Sequence, residues 1–354
     1  MPEAATPDAI DAFVENHPQG MFYHSRRWID LVTHLTGSSY TDISVMDAAG
    51  ELSAWCPLFF HDGPAGVVAN SSPFFGSHGG ILAVDDTAFT RAADAVMEEL
   101  SNRSAQSLNI IEPLECPRSR LYGKHLPVGI GDHRIAHTKS LEGMADRDSL
   151  FGSLGGLVRS NLKRKAWRAN LVISRAETSQ AMANLQELHI AEMGARPDGN
   201  PKKPEFFEAV QTRLLPGTDW RLYEAHKDGA LAASLLLFTW GRYVEYITPV
   251  TAPDFRRDQP LTALLFEAML DCASDGYSIW NWGGSWPSQE GVQNFKDSWG
   301  GERGSYHYHV VDNGGLDRLQ EWPDRAELLA AYGGYYLFPF TPADQDGQDD
   351  RDGN

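Results

Sequence analysis

Lys296 is one of eight lysines in the chain and follows the apolar Phe295 in a segment with helical spacing, Gln289–Trp299. A cation fixed there would stabilise a developing oxyanion or a donor phosphate; the plain alternative is a solvated lysine on a helix surface. Asn281 ends a strand-like run, Tyr277–Trp282. An amide cannot serve as a base, but it orients a substrate by hydrogen bonds. Glu245 and Tyr246 alternate along another run, Tyr243–Val250, so only one of them faces any cleft. Lys296, Asn281 and Tyr246 are the candidate catalytic residues, and Glu245, the only acid of its run, is a further option for a base.

Two segments suit a phosphorylated ligand. Arg159, Lys163, Arg164, Lys165 and Arg168 concentrate positive charge, and the pairs 159/163 and 164/168 share a helix face. Arg256 and Arg257 stand before Asp258-Gln259-Pro260, where they grip a phosphate by side chain or simply precede a helix with proline at its first position. Arg164, Arg168, Arg256 and Arg257 are therefore the candidate residues for holding such a ligand. Candidates for contact with a substrate are Ser77 and His78, in a glycine-rich loop, Gly76–Gly80, that a ligand can approach closely, and Trp286 and Gln289, in a turn rich in polar and aromatic groups. The alternatives are a hairpin turn and tryptophans that cover the core. His307 and His309 share a strand face, but no third ligand is apparent and no metal is expected. GxSxG, GxGxxG and Walker loops are absent, which leaves no persuasive covalent nucleophile.

The elements that must position these residues read α-α-β-β-β-α-β, then α-β-α-α-β-β-β-α-β-α-β. In the first half, Pro7–Glu15, Ser25–Leu35 and Thr87–Ser101 have helical spacing, with Asp86 as a cap for the third. Ile43–Met46, Trp55–Phe60 and Ser107–Ile111 are strand-like. In the second half a basic helix, Leu157–Arg168, precedes a strand, two helices and three strands joined by the turns Lys227-Asp228-Gly229 and Trp240-Gly241-Arg242. A helix, Leu261–Ser274, follows Pro260. An antiparallel meander followed by one helix and a further strand describes an α+β domain. The two halves share this order, so the expected fold is a duplicated α+β unit with a mixed, mostly antiparallel sheet in each, at residues 1–150 and 151–340.

The chain has 354 residues, of which 42% are apolar and 22% charged, enough for one large or two ordinary domains. The net charge, 30 − 48 = −18, excludes a surface that coats nucleic acid or an anionic membrane as a whole. Residues 344–354, DQDGQDDRDGN, hold no apolar residue, and 341–354 is expected to be a disordered acidic tail. Cys56, Cys116 and Cys272 have no CxxC spacing, and no signal peptide or membrane span is evident. A cytoplasmic protein is expected.

From about Leu157 to Val310 the chain resembles the FemAB-like branch of the GNAT acyltransferase superfamily, which includes CelD/BioF-type domains. The resemblance rests on the basic segment Arg159–Lys165, the pair Leu188-His189, and Gln259-Pro260-Leu261 with Leu264-Leu265 and the exit Asp275-Gly276-Tyr277. Its most specific part is Asn281-Trp282-Gly283-Gly284 followed by Gly291-x-x-x-Phe295-Lys296. Ser25–Trp28 and the Phe75–Gly80 loop match more weakly. The resemblance implies two GNAT-like halves and transfer of an acyl or aminoacyl group to an amine of a cell-wall, sugar or peptide acceptor. It places Lys296 beside the acyl donor and Asn281 where the family often has an acid. No cofactor is expected to be tightly bound; the donor co-substrate is aminoacyl-tRNA, slightly favoured, or an acyl-CoA. Where the family's phosphate loop has glycines, the positions counted from Arg256 hold Gln259 and Leu261, and Pro260 lacks an N–H. Those departures also leave open a plain acyl-CoA-dependent N-acetyltransferase and a non-catalytic binding module.

Overall fold

The computed structural model describes residues 5–74, 76–195 and 201–337. The acidic segment 344–354 lies outside them. In chain order the elements are α1 (Pro7–Asn16), α2 (Arg26–Thr36), β1 (Ser39–Met46), β2 (Leu52–Gly63), β3 (Gly66–Asn70), β4 (Leu82–Ala83), α3 (Asp86–Asn102), β5 (Ser107–Ile111), α4 (Ser119–His125), β6 (Val128–Ser140), α5 (Arg147–Ser153) and α6 (Gly156–Arg164). They continue with β7 (Val172–Arg175), α7 (Ser179–Gly194), α8 (Pro204–Arg213), β8 (Trp220–Lys227), β9 (Ala230–Trp240), β10 (Tyr243–Thr251), α9 (Pro260–Ser274), β11 (Ile279–Ser285), α10 (Glu290–Ser298), β12 (Glu302–Asp312), α11 (Leu316–Gln320) and α12 (Arg325–Ala331). Side-chain oxygens of Thr6, Ser25 and Thr178 cap α1, α2 and α7 by accepting from otherwise orphaned N–H groups. Asp85, one residue before the expected Asp86, does the same for α3.

The described residues form two compact units: 5–134 together with 305–337, and 135–304. Each is a mixed, mostly antiparallel sheet flanked by helices. In the first the strand order is β1-β2-β3-β5-β12, with β4 also on β2. Its one parallel pair, β3 with β5, is connected through α3. In the second the order is β6-β11-β10-β9-β8-β7, and the one parallel pair, β10 with β11, is connected through α9. An antiparallel run, a crossover helix and a parallel return occur once in each unit.

The units are discontinuous in sequence, where the sequence reading places a single boundary at 150/151. β12, late in the chain, joins the first unit's strands by pairing with β5, and β6 joins the second unit's by pairing with β11. β6 was not expected at all. Its residues, VGIGDHRIAHTKS, hide the two-residue alternation behind glycines and charges, and two of its buried side chains are the polar His137 and Lys139.

Apolar faces explain the rest. In the first unit Phe89, Ala92, Ala93 and Val96 of α3 pack with Leu58, Phe60, Leu108 and Ile110 of the sheet. In the second, Leu264, Leu265, Ala268 and Met269 of α9 join Leu235, Leu237, Trp280 and Trp282 with Val158 and Leu162 of α6. The basic helix is shorter than expected. Lys165 leaves helical geometry at φ −125, ψ −72, so α6 ends at Arg164 and Arg168 belongs to a separate 3-10 turn, Ala166–Arg168. Burial of Ala166 in the same core accompanies that break.

Candidate active site

β10 and β11 pair in parallel at Tyr243/Ile279, Val244/Trp280 and Glu245/Asn281. Beyond that point β10 continues along β9 to Thr251, while β11 continues along β6 to Ser285. The two strands therefore part. Both outer ladders shift register at the same level, between Tyr246 and Thr248 and between Asn281 and Gly284. An extra residue in one strand bends it away from its neighbour. On β11 the bend includes Gly283 at φ 74, a left-handed conformation that a side chain would strain.

Three buried polar side chains hold this fork. Asn281 donates from Nδ2 to Glu245 Oε2 at 2.8 Å and accepts from the Gly283 N–H at 3.0 Å. Lys296 Nζ donates to the carbonyls of Gly283 (3.2 Å) and Gly284 (3.0 Å) and to Ser285 Oγ (2.9 Å). Glu245 is 1% exposed, and Asn281 and Lys296 are 0% exposed. Lys296 is thus neither a solvated helix lysine nor a donor standing free for an oxyanion. An ammonium has three N–H donors, and three protein acceptors on β11 take them. Its geometry is that of an anchor for the bulge.

The next residue, Asp297, pairs with His137 at 3.3 Å and with Arg303. The Arg303 hydrogen bond, the leading cause, holds the Asp297 carboxyl below the usual carboxylate range. Burial first, and then the Lys296 charge, push the His137 imidazole down to about 4, so it is neutral near pH 7. Gly301 completes the corner, since a Cβ there would lie 2.8 Å from the Lys296 carbonyl oxygen.

The other expected residues are distributed unevenly. Tyr246 lies on the opposite strand face from Glu245, edge-on to Trp282 with ring centroids 5.1 Å apart and against the α9 core. Trp286 and Gln289 are buried in the turn between β11 and α10, where Gln289 Oε1 accepts from the Trp286 N–H at 2.8 Å. They build that turn. Arg159, Lys163 and Arg164 line an open cleft of about 290 Å³ with Phe151, Gly156 and Ser160. Arg168 is not among its lining residues. Arg256 and Arg257 are exposed on a 3-10 turn, Pro253–Asp258, and Arg256 pairs with Glu192 at 3.3 Å. Gln259 takes the left-handed conformation, φ 56, ψ 48, at the N-terminus of α9. The backbone path that glycine would favour is kept without the glycine.

Ser77 and His78 belong to the first unit. Ser77 is half-buried, whereas His78 is 0% exposed, with Nδ1 3.2 Å from the Glu112 carbonyl oxygen. Burial pushes its imidazole down to about 4, so it is a neutral core histidine and not the flexible contact that the loop's glycines imply. The sequence reading also missed Glu112. Its carboxylate meets both His307 and His309, as Oε2 lies 3.0 Å from His307 Nδ1 and Oε1 lies 2.8 Å from His309 Nε2. Burial works against ionisation there, but the His309 and Ser119 hydrogen bonds hold the carboxyl below its usual range.

Residues 157–297 match the family described as acetyltransferase (GNAT) domain. This segment is a GNAT domain. Domains of this type act between an acyl donor and an amine acceptor. No curated protein sequence matches the chain. Among solved structures the chain is similar to the crystal structure of FemX, at TM-score 0.73 and 17% identity, over 90% of this chain and 98% of that one. It is also similar to the C-terminal domain (DUF2156) of a putative lysylphosphatidylglycerol synthetase from Agrobacterium fabrum, at TM-score 0.57 and 12% identity, over 94% and 98% of the two chains. L-PGS from Bacillus licheniformis matches at TM-score 0.54 and 11% identity, over 95% and 99%. At these identities the likeness is one of fold. The GNAT domain holds the fork between β10 and β11, the Glu245–Asn281 pair and the Lys296 anchor. Among the described residues no helix is long and apolar enough to cross a membrane.

Proposed function

We propose that the GNAT domain moves an acyl group, aminoacyl in the reading we favour, from an activated ester or thioester to an amine on a cell-wall, sugar or peptide acceptor. The observation that carries this is the buried carboxylate–amide pair, Glu245 with Asn281, at the point where two parallel strands separate. An ammonium acceptor must lose a proton before its nitrogen can attack, and a carboxylate held in one orientation by an amide is suited to take it. Past the pair, backbone groups on the inner edges of the strands are outside the parallel ladder. They suit an extended donor arm and an N–H bond to the acyl oxygen. Lys296 serves as a positioning residue through Gly283 and Gly284. Attack is direct, within a ternary complex.

An aminoacyl donor is favoured by the cationic cleft of Arg159, Lys163 and Arg164, by the missing N–H of Pro260, and by a fold relative named as a putative lysylphosphatidylglycerol synthetase. The second reading, an acyl-CoA donor, is favoured by Gln259, whose left-handed backbone keeps the turn into α9 where a phosphate would meet helix N–H groups. The deciding experiment supplies acetyl-CoA or aminoacyl-tRNA with a panel of amines and follows release of free thiol or deacylated tRNA. Turnover of either donor that Glu245→Gln abolishes supports a transferase. If neither donor is consumed by any amine, the domain is a binding module.

A further inference from the structure

β12 carries two histidines that the transferase reading does not use. His307 and His309 are two apart on β12, so their side chains leave the same face. β12 runs antiparallel to β5, and the register that pairs His309 with Ile110 and Tyr308 with Ile111 brings Glu112, just past the end of β5, opposite His307. The Glu112 N–H donates to the His307 carbonyl at 2.9 Å, and the His307 N–H donates back to Glu112 Oε2 at 3.0 Å. One nitrogen from each ring and one carboxylate oxygen all lie within 4.8 Å of one another.

We propose that Glu112, His307 and His309 form a binding site for a divalent transition-metal ion of the zinc class, which clips the end of β5 to β12. Two imidazoles and one carboxylate are a donor set that zinc accepts with a fourth position left for water. The separations suit it. Bonds of about 2.0–2.1 Å in a tetrahedron put ligand atoms roughly 3.3 Å apart. Each imidazole already meets one carboxylate oxygen, His307 at Oε2 (3.0 Å) and His309 at Oε1 (2.8 Å), and with the three ligand atoms within 4.8 Å of one another a small rotation of the side chains brings them to that spacing. Metal then replaces the two ring protons that now point at the carboxylate, and each imidazole carries its proton on the other nitrogen.

The surroundings are built as metal surroundings are. Ser119 Oγ donates to Glu112 Oε1, and the backbone N–H of His307 holds the other carboxylate oxygen. Tyr122 stacks on the His309 ring at 4.8 Å with an interplanar angle of 11°, which fixes its plane. Such outer contacts orient the ligands before the ion arrives. The His307 side chain is 43% exposed while that of Glu112 is 2% exposed, so the site has one open side, through His307. The His133 ring, 6.5 Å from that of His307, stands near this side.

The proposal is independent of the transferase reading, and its test needs no activity. The full chain is stripped with chelator, dialysed against zinc chloride and assayed for retained zinc and for melting temperature. Wild type should retain one equivalent that His307→Ala does not, and zinc should raise its melting temperature but not that of the variant. His307 is partly exposed on an outer position, so the variant should keep the metal-free melting temperature; Glu112→Gln, which keeps the side chain's shape, supplies a second loss of zinc. Zinc affinity should fall by about 10²-fold or more in each. The proposal is overturned if wild type retains no zinc, or if both variants retain it as wild type does.

Discussion

At the scale of single residues, Glu245 and Lys296 should fail in different ways when changed. Glu245→Gln keeps the size of the side chain and a partner for Asn281, so we expect the melting temperature to stay close to wild type while kcat falls by about 10²–10⁴-fold. A variant that turns over at the wild-type rate would remove Glu245 from the chemistry. Lys296→Met leaves two carbonyls and a hydroxyl without the ammonium that now bonds them. At roughly 1–3 kcal/mol for each orphaned group, urea denaturation should show a loss of about 3 kcal/mol or more, with activity lost as the bulge relaxes. A solvated lysine would cost almost nothing. The urea midpoint therefore separates an anchor from a surface cation.

At the scale of elements, the turn into α9 can be tested by two substitutions with opposite signs. Gln259 holds a left-handed backbone, and its side chain accepts from Thr262 Oγ1 and donates to the Arg256 carbonyl, both at 3.1 Å. Gln259→Ala removes both bonds and keeps the strain, so it should cost about 1–2 kcal/mol. Gln259→Gly removes the bonds and the strain together, and its stability should lie closer to wild type than that of Gln259→Ala. If the alanine variant is the more stable of the two, backbone strain is not the controlling term. The short α6 makes a second element-scale claim. Lys163→Gln and Arg164→Gln should weaken binding of a phosphorylated donor and flatten its salt dependence, while Arg168→Gln on the separate turn should do neither. Donor titrations at two salt concentrations check this, and equal effects at all three positions would argue against the cleft.

For the whole molecule, the exchanged closing strands decide where the chain can be cut. A fragment of residues 135–304 retains β6 beside β11 and should melt cooperatively. A fragment of residues 151–304 lacks β6, exposes the edge of β11 and should not. Equal cooperativity in both would show that β6 is dispensable. Acid should also destabilise the protein before most carboxylates titrate. Burial pushes His24 down to about 3, and burial with the Lys296 charge pushes His137 to about 4, both below the ordinary value of 6.5. The unfolded chain then binds protons that the folded chain refuses, so their contribution is complete above pH 6.5 and declines as pH falls towards 4. The urea midpoint should drop between pH 7 and 5, and the drop should shrink in His24→Gln or His137→Gln variants that fold.

Much of this protein was legible from local pattern alone. The 3.6-residue spacing of Leu264, Leu265, Ala268 and Met269, the two tight turns of the β8–β9–β10 meander and the crossover into Tyr277–Trp282 involve neighbours in sequence, and the structure contains each of them. The grouping of Asn281, Gly283, Gly284 and Lys296 came instead from the family resemblance, and one turn between β11 and α10 brings them together. Long-range pairing decided the rest. Alternation tells which face of a strand a side chain takes, but not which strand lies beside it. Glu245 reaches Asn281 only because β10 and β11 are parallel neighbours, and Glu112 reaches His307 across 195 residues because β12 pairs with β5. Lys296 is buried because a bulge turns two carbonyls towards it, and β6 is a strand because an open edge of β11 accepts it despite its glycines and charges. Strand pairing sets these neighbours, and a single strand's sequence does not encode them.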